Sequence, residues 1–146
     1  MTRKHTQFLL LRLGSHHVGL PLAGLVGVTD IGEVHAVPVH ADACRGVTVS
    51  RGRLVPVVSL GALIGMSTEP GAGGLGVLLD LGGLPLCLEV DDAVAIVTGE
   101  ALPVPPGAAL PWAQGVVKRA EGAVPIIDSA TLKERLTNVE VQRGNG

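Results

Sequence analysis

Arg45–Gly65, RGVTVSRGRLVPVVSLGALIG, is the stretch whose reading decides the fold. Gly46-Val47-Thr48-Val49 is rich in β-branched residues, which favour a pleated, half-buried strand. Ser50-Arg51-Gly52-Arg53 reads as a tight turn, with Gly52 free to take positive φ. Leu54-Val55-Pro56-Val57-Val58 is the return strand. Pro56 donates no hydrogen bond, so this strand is expected to lie at an edge, to bend or to carry a bulge. Leu60 to Gly65 predicts one helical turn. The charge of this apolar hairpin is concentrated at its tip, on Arg51 and Arg53.

The hairpin has a second copy. Gly115-Val116 through Val124-Pro125-Ile126-Ile127-Asp128 aligns without gaps on Gly46-Val47 through Val55-Pro56-Val57-Val58-Ser59, and Leu132 falls opposite Leu63. An earlier pair matches at nearly the same offset: Phe8 to Gly14 resembles Gly76 to Gly82. Two copies of one plan make a pseudo-duplicated domain, whereas a solenoid needs three or more units. Residues 1–7 read as an N-terminal arm and 8–136 as one domain. Its halves span about 8–66 and 75–136, joined by a flexible link at 67–74, and 137–146 reads as a frayed tail.

Composition narrows the function. The 146 residues carry a net charge of −2, with one Phe, one Trp and no Tyr. A nucleic-acid surface needs a basic excess or aromatic stacking platforms, and neither is present. The core must be built from Leu, Val, Ile and Ala. No apolar run reaches the roughly 18 residues of a membrane span, and Phe8 to Leu11 is too short for a secretory signal. Cys44 and Cys87 are solitary and read as small buried hydrophobes in a reducing cytoplasm. Trp112 is expected to pack at the end of a Pro- and Gly-rich excursion from Thr98 to Gly115.

Along the chain, Phe8 to Leu13 and Val18 to Pro21 predict a hairpin. Leu22, Leu25, Val26 and Val28 have a helix-like spacing that Gly24 and Gly27 weaken, so a short helical turn or an irregular strand is expected there. Thr29 to Glu33 reads as a loop and Val34 to Pro38 as a short extended piece. Strands follow at Leu75 to Leu81, Leu84 to Val90 and around Val94 to Val97. Asp128-Ser129 is positioned to cap a helix from about Ala130 to Leu136. Many short strands with Gly and Pro turns predict an all-β pair of small barrels.

Catalytic and cofactor motifs do not assemble. Gly71-Ala72-Gly73-Gly74-Leu75-Gly76 has the G-x-G-x-x-G spelling but is followed by a β-run, where a phosphate site needs a helix. His5, His16, His17, His35 and His40 match no zinc-ligand spacing, so no metal is expected. Ser59 lacks the glycine that precedes the nucleophile in an elbow. Adjacent Asp91 and Asp92 on a strand would point to opposite faces. No cofactor and no enzymatic activity are expected. Two features remain as interface candidates: Arg51, with Arg53 beside it, and the apolar, glycine-broken run Leu20 to Val28.

These residues carry a resemblance. Gly46 to Leu60, GVTVSRGRLVPVVSL, is similar to the pattern G-V-[ILT]-N-L-R-G-x-[IVL]-[VIL]-P-[VI]-[VI]-D-L of CheW-like domains, the coupling proteins of bacterial chemotaxis arrays. Phe8 to Gly14, Val90-Asp91 with Val94 and Val97, and Gly115 with Val124 to Asp128 follow in the expected order. The likeness covers about Phe8 to Leu136. It implies an all-β fold of two five-stranded SH3-like barrels with short helical turns and a C-terminal helix. It implies a non-catalytic, cytoplasmic adaptor, recruited to membrane-associated receptor arrays without inserting in the membrane. Its partners would be the chemoreceptor cytoplasmic tip and the regulatory domain of a CheA-type histidine kinase. Receptor contact would lie in the groove between the barrels, and, carried over, that groove would include Leu25, Val28 and Arg51. The chain departs from the pattern at Val49-Ser50, where Asn-Leu is usual, at Gly27, where an acidic residue is common, at Ala43 and at Ser59. A diverged CheW-like module that self-associates or blocks arrays is the alternative, and a small-ligand-binding barrel a third.

Overall fold

The structure, a computed structural model, describes residues 5–35, 44–65, 74–108, 110–120 and 122–135. Ten strands follow in order. They are β1 (His5–Leu13), β2 (His16–Pro21), β3 (Leu25–Asp30), β4 (Cys44–Ser50), β5 (Arg53–Ser59), β6 (Leu75–Asp80), β7 (Pro85–Val90), β8 (Asp92–Glu100), β9 (Gly115–Arg119) and β10 (Gly122–Ile126). A short helix, α1 (Leu60–Leu63), follows β5. A second helix, residues 129–135, follows β10 in the same way.

The strands form two five-stranded sheets, in the orders β8-β1-β2-β10-β9 and β3-β6-β7-β5-β4. Advancing every strand of one order by five positions, cyclically, gives the other. The duplication is therefore real, but neither half makes a barrel alone. Each small SH3-like barrel takes two strands from one half and three from the other. The repeat extends to the register. Gly46 pairs with Val57 and Val47 with Pro56; Gly115 pairs with Ile126 and Val116 with Pro125.

Side-chain alternation explains the two continuous apolar runs. On β1, Phe8 and Leu10 point into the first barrel with Val117, Val124 and Ile126. Leu9, Leu11 and Leu13 point the other way, into a central core shared with Leu86, Leu88 and Val90 of β7. Cys87 faces the second barrel's interior beside Val55 and Val57. A strand buried on both faces reads as an unbroken hydrophobic stretch. Trp112 packs against the central core, as expected, with the Arg135 guanidinium 4.7 Å from its ring centroid.

Of the two forms expected for Leu22 to Val28, the irregular strand is present: β3 carries a bulge between Leu25 and Gly27, which breaks the alternation and mimics a helical spacing. Other expectations are corrected. Thr29 and Asp30 belong to β3 rather than to a loop. β1 begins at His5, so residues 5–7 join the sheet. Pro56 is not on an edge strand, because β5 lies between β4 and β7. It is tolerated because pairing with β7 starts only at Val57, so no ladder bond is lost at residue 56. Pro125 repeats this, with β10 meeting β2 at Ile126. Cys44 is half-buried rather than buried, and both thiols are free. The helix starts at residue 129, where the Asp128 carbonyl accepts the Leu132 N–H at 2.9 Å and its carboxylate accepts the Thr131 hydroxyl at 2.6 Å. The link 67–73, the piece 36–38, Leu136 and the tail 137–146 lie outside the described residues.

Candidate functional site

The tip of the β4–β5 hairpin is a two-residue turn. Arg51 and Gly52 both have positive φ, 52° and 76°. Such a turn matches the right-handed twist of the flanking strands, and it normally carries Asn-Gly or Asp-Gly. Arg51 is the one non-glycine residue with positive φ among those described. At the other end of β4, Gly46 has φ 144° and lies so close to the His35 carbonyl that a side chain would collide with it. The hairpin is therefore held at both ends, and Arg51 projects from a fixed base.

β3 curves round to face this tip. Two hollows open between them. The smaller, about 200 Å³, lies at the barrel end between Val26, Arg51, Arg53, Asp80 and Pro85. The larger, about 370 Å³, follows the seam between β3 and β4, from Gly27 and Val28 to Val49 and Arg51. Arg51 borders both. Apolar side chains stand on the rims, with Val26 45% exposed, Val28 44% and Val49 60%, and Leu54, which lines neither hollow, is 68% exposed. Val49 and Leu54 are cross-strand partners, so their side chains stand together. Hydrophobic side chains grouped around a fixed cation are the composition of a protein-binding surface.

The four residues singled out by sequence fare differently. Arg51, Arg53 and Val28 come together at these hollows. Leu25 is half-buried against the central core and lines neither. Val26, Val49 and Leu54 were missed, although the gapless strand pairing across Arg51-Gly52 places Val49 opposite Leu54. A part-buried ion pair was also missed. The Arg45 guanidinium donates to the Glu89 carboxylate, which is 7% exposed. Its signal was a single charge inside the apolar strand LCLEV.

Among the described residues no three His, Cys, Asp or Glu side chains cluster as metal ligands. No described helix is long and apolar enough to cross a membrane. Asp91 is taken up in structure, accepting the Gly14 N–H at 2.5 Å. Gly74 leads into β6, not into a helix.

Comparison with known proteins agrees with this architecture. The crystal structure of the scaffolding protein TtCheW from Thermoanaerobacter tengcongensis superposes with a TM-score of 0.74 at 18% identity, covering 87% of this chain and 86% of that one. No curated protein matches the sequence. The model of the CheW-like domain matches residues 7–136. The interleaved pair of five-stranded barrels and this match across nearly the whole chain place the protein in the CheW-like domain family.

Proposed function

We propose that the protein is a non-catalytic, cytoplasmic adaptor that joins a chemoreceptor's cytoplasmic tip to the regulatory domain of a CheA-type histidine kinase. The observation that carries this reading is the Arg51 guanidinium, fixed on a rigid turn and flanked by exposed Val26, Val28, Val49 and Leu54. Arg51, Arg53 and Val28 meet the receptor, with Arg51 setting register through a charge-assisted bond. Each such contact contributes about 1–3 kcal/mol, and repetition across an array raises the overall affinity. Val49 and Ser50 stand where the family pattern has Asn-Leu, so the polar and apolar positions of that pair are exchanged in this adaptor.

Titration calorimetry of the purified protein against the regulatory domain of each CheA-type kinase of the same cell tests the reading. Micromolar or tighter binding to one of them is expected. Binding to none removes the coupling role. A second reading, a structural module that self-associates, is favoured by one observation. Exposed Val94 and Ile96 on β8 repeat Val26 and Val28 of β3 at an offset of 68 positions, giving the molecule two like apolar edges. Kinase assays separate the two, since a coupler raises receptor control and a blocking module lowers it.

A further inference from the structure

The two barrels close differently. Each is joined at one end by a single bridge between one edge strand, β9 or β4, and the segment that follows the other, β8 or β3. In the first, Leu102 and Val116 exchange N–H···O bonds of 2.8 and 2.9 Å; in the second, His35 and Val47 do so at 2.8 and 2.9 Å. Beyond that bridge the first barrel stays shut, with the Val117 side chain seated directly over Gly99 of β8. The equivalent residues of the second barrel are Thr48 and Ile31, and there the strands part around the hollow of about 370 Å³.

Both walls of that seam are free strand edges, since β3 and β4 end their sheet's order. Peptide groups alternate in direction along an antiparallel strand. Those of Val47 point to the seam, because they bond His35. Those of Val49, two residues on in an unbroken register with β5, point the same way, and no described backbone group meets them across the seam. On the opposite wall, Ile31 donates to Gly74 at 2.7 Å and Thr29 pairs with Gly76, so both face β6. Val28 therefore faces away from β6, along the open edge. Exposed edges with unpaired peptide groups are templates for another strand.

The geometry points to strand addition: the seam takes an extended peptide segment along the Val49 edge, with alternating apolar residues and a carboxylate set against Arg51. Backbone bonds supply affinity in this mode, and pockets for alternate side chains supply selectivity. Val28 and Val49 offer the apolar contacts, and their exposure fits an occupant with apolar side chains. The side chains of Arg51 and Arg53 make no ion pair or hydrogen bond among the described residues. The Arg51 guanidinium borders the seam, which fits an acidic residue there, and Arg53 borders the adjoining smaller hollow. Asp30 on the other rim disfavours a peptide acidic along its whole length.

The test is a selection of nine-residue random peptides displayed on phage against the full-length protein, followed by titration of the enriched peptides. Enriched peptides are expected to alternate apolar and polar residues, to carry Asp or Glu, and to slow hydrogen exchange at the Val49 amide. Val49→Pro removes the one N–H that strand addition needs and leaves the β4–β5 ladder intact, because that N–H faces away from β5. It should weaken binding at least tenfold, whereas Val49→Thr, which keeps the N–H, should bind within about threefold of the parent. Far-ultraviolet circular dichroism confirms that both variants fold. Equal binding by folded Val49→Pro, enrichment of peptides with helical spacing, or no enrichment would each overturn the proposal. A concentration-dependent dimer that protects Val49 without peptide would assign the edge to a second copy and overturn it too. Calorimetry of the same variants against the kinase regulatory domain reports separately on the coupling role.

Discussion

The Arg45 guanidinium reaches past β5 to the carboxylate of Glu89 on β7, the one acidic side chain among the buried residues described. The two ends differ in their exposure. Glu89 is 7% exposed and Arg45 32%. Arg45→Ala leaves a buried carboxylate without its charged partner, which costs about 1–3 kcal/mol or more. The double substitution Arg45→Met with Glu89→Leu removes both charges and keeps apolar volume, so it should recover most of that loss. Urea denaturation midpoints measure both. A single variant as stable as the parent would show that Glu89 finds water or another donor.

Gly19 shows how the two copies fit different side chains into one plan. A methyl group at Gly19 would lie 2.5 Å from Ile126 Cδ1 and 2.6 Å from Phe8 Cδ2. In the second copy, Gly76 takes the position of Phe8 and Cys87 that of Gly19, so the large and small positions are exchanged. Gly19→Ala overpacks the first barrel and should cost about 1–3 kcal/mol. Combining it with Phe8→Leu should return part of that stability. An additive double variant would mean that the two sites do not share the space.

Much of this was legible in the chain. The gapless match of residues 46–59 to 115–128 predicted the duplication, and the strand register repeats with it. The interleaving of the halves was not legible. It depends on which edges β2 and β7 meet, through short parallel pairings: one pair, Gly19–Ile126, between β2 and β10, and three, from Val57–Cys87 to Ser59–Glu89, between β5 and β7. Pro56 argued for an edge strand because local chemistry excludes a ladder bond, yet not the ending of a neighbouring strand one residue short. The bulge at Leu25 gave β3 a false helical spacing. Arg51 was legible as a candidate from its turn alone, whereas Val26 needed the fold to set β3 across the smaller hollow from it.

Cys87 carries a pH dependence of known sign. Burial first, and the Glu89 carboxylate second, push its thiol up from 9.0 to about 11. The unfolded chain therefore ionises this thiol before the folded one does. Stability from this group is complete below pH 9 and is lost as pH rises through about 11, a change on the order of 2 kcal/mol. Denaturation at pH 7.5, 9 and 10.5 should show the decline, and Cys87→Ala should flatten it after its own constant loss. At pH 8 the half-buried Cys44 should react with a thiol reagent first, with Cys87 reacting only as the protein unfolds. Equal rates for the two thiols in the native protein would contradict this burial.

Arg51 separates stability from binding. At φ 52° a side chain other than Gly, Asn or Asp is held in the left-handed region at a cost of about 1–2 kcal/mol. Asn suits the first position of such a hairpin turn. Arg51→Asn should therefore raise folding stability, by about 0.5–1 kcal/mol, because it relieves only part of that cost. The same change removes the guanidinium, and affinity for a receptor cytoplasmic tip should fall about tenfold, equivalent to about 1.4 kcal/mol. Arg51→Lys keeps a charge but not the planar fork, and should fall between the two. Denaturation midpoints and calorimetry on the same preparations read both quantities. A more stable Arg51→Asn protein with undiminished affinity would leave the turn geometry as described and take Arg51 out of the contact.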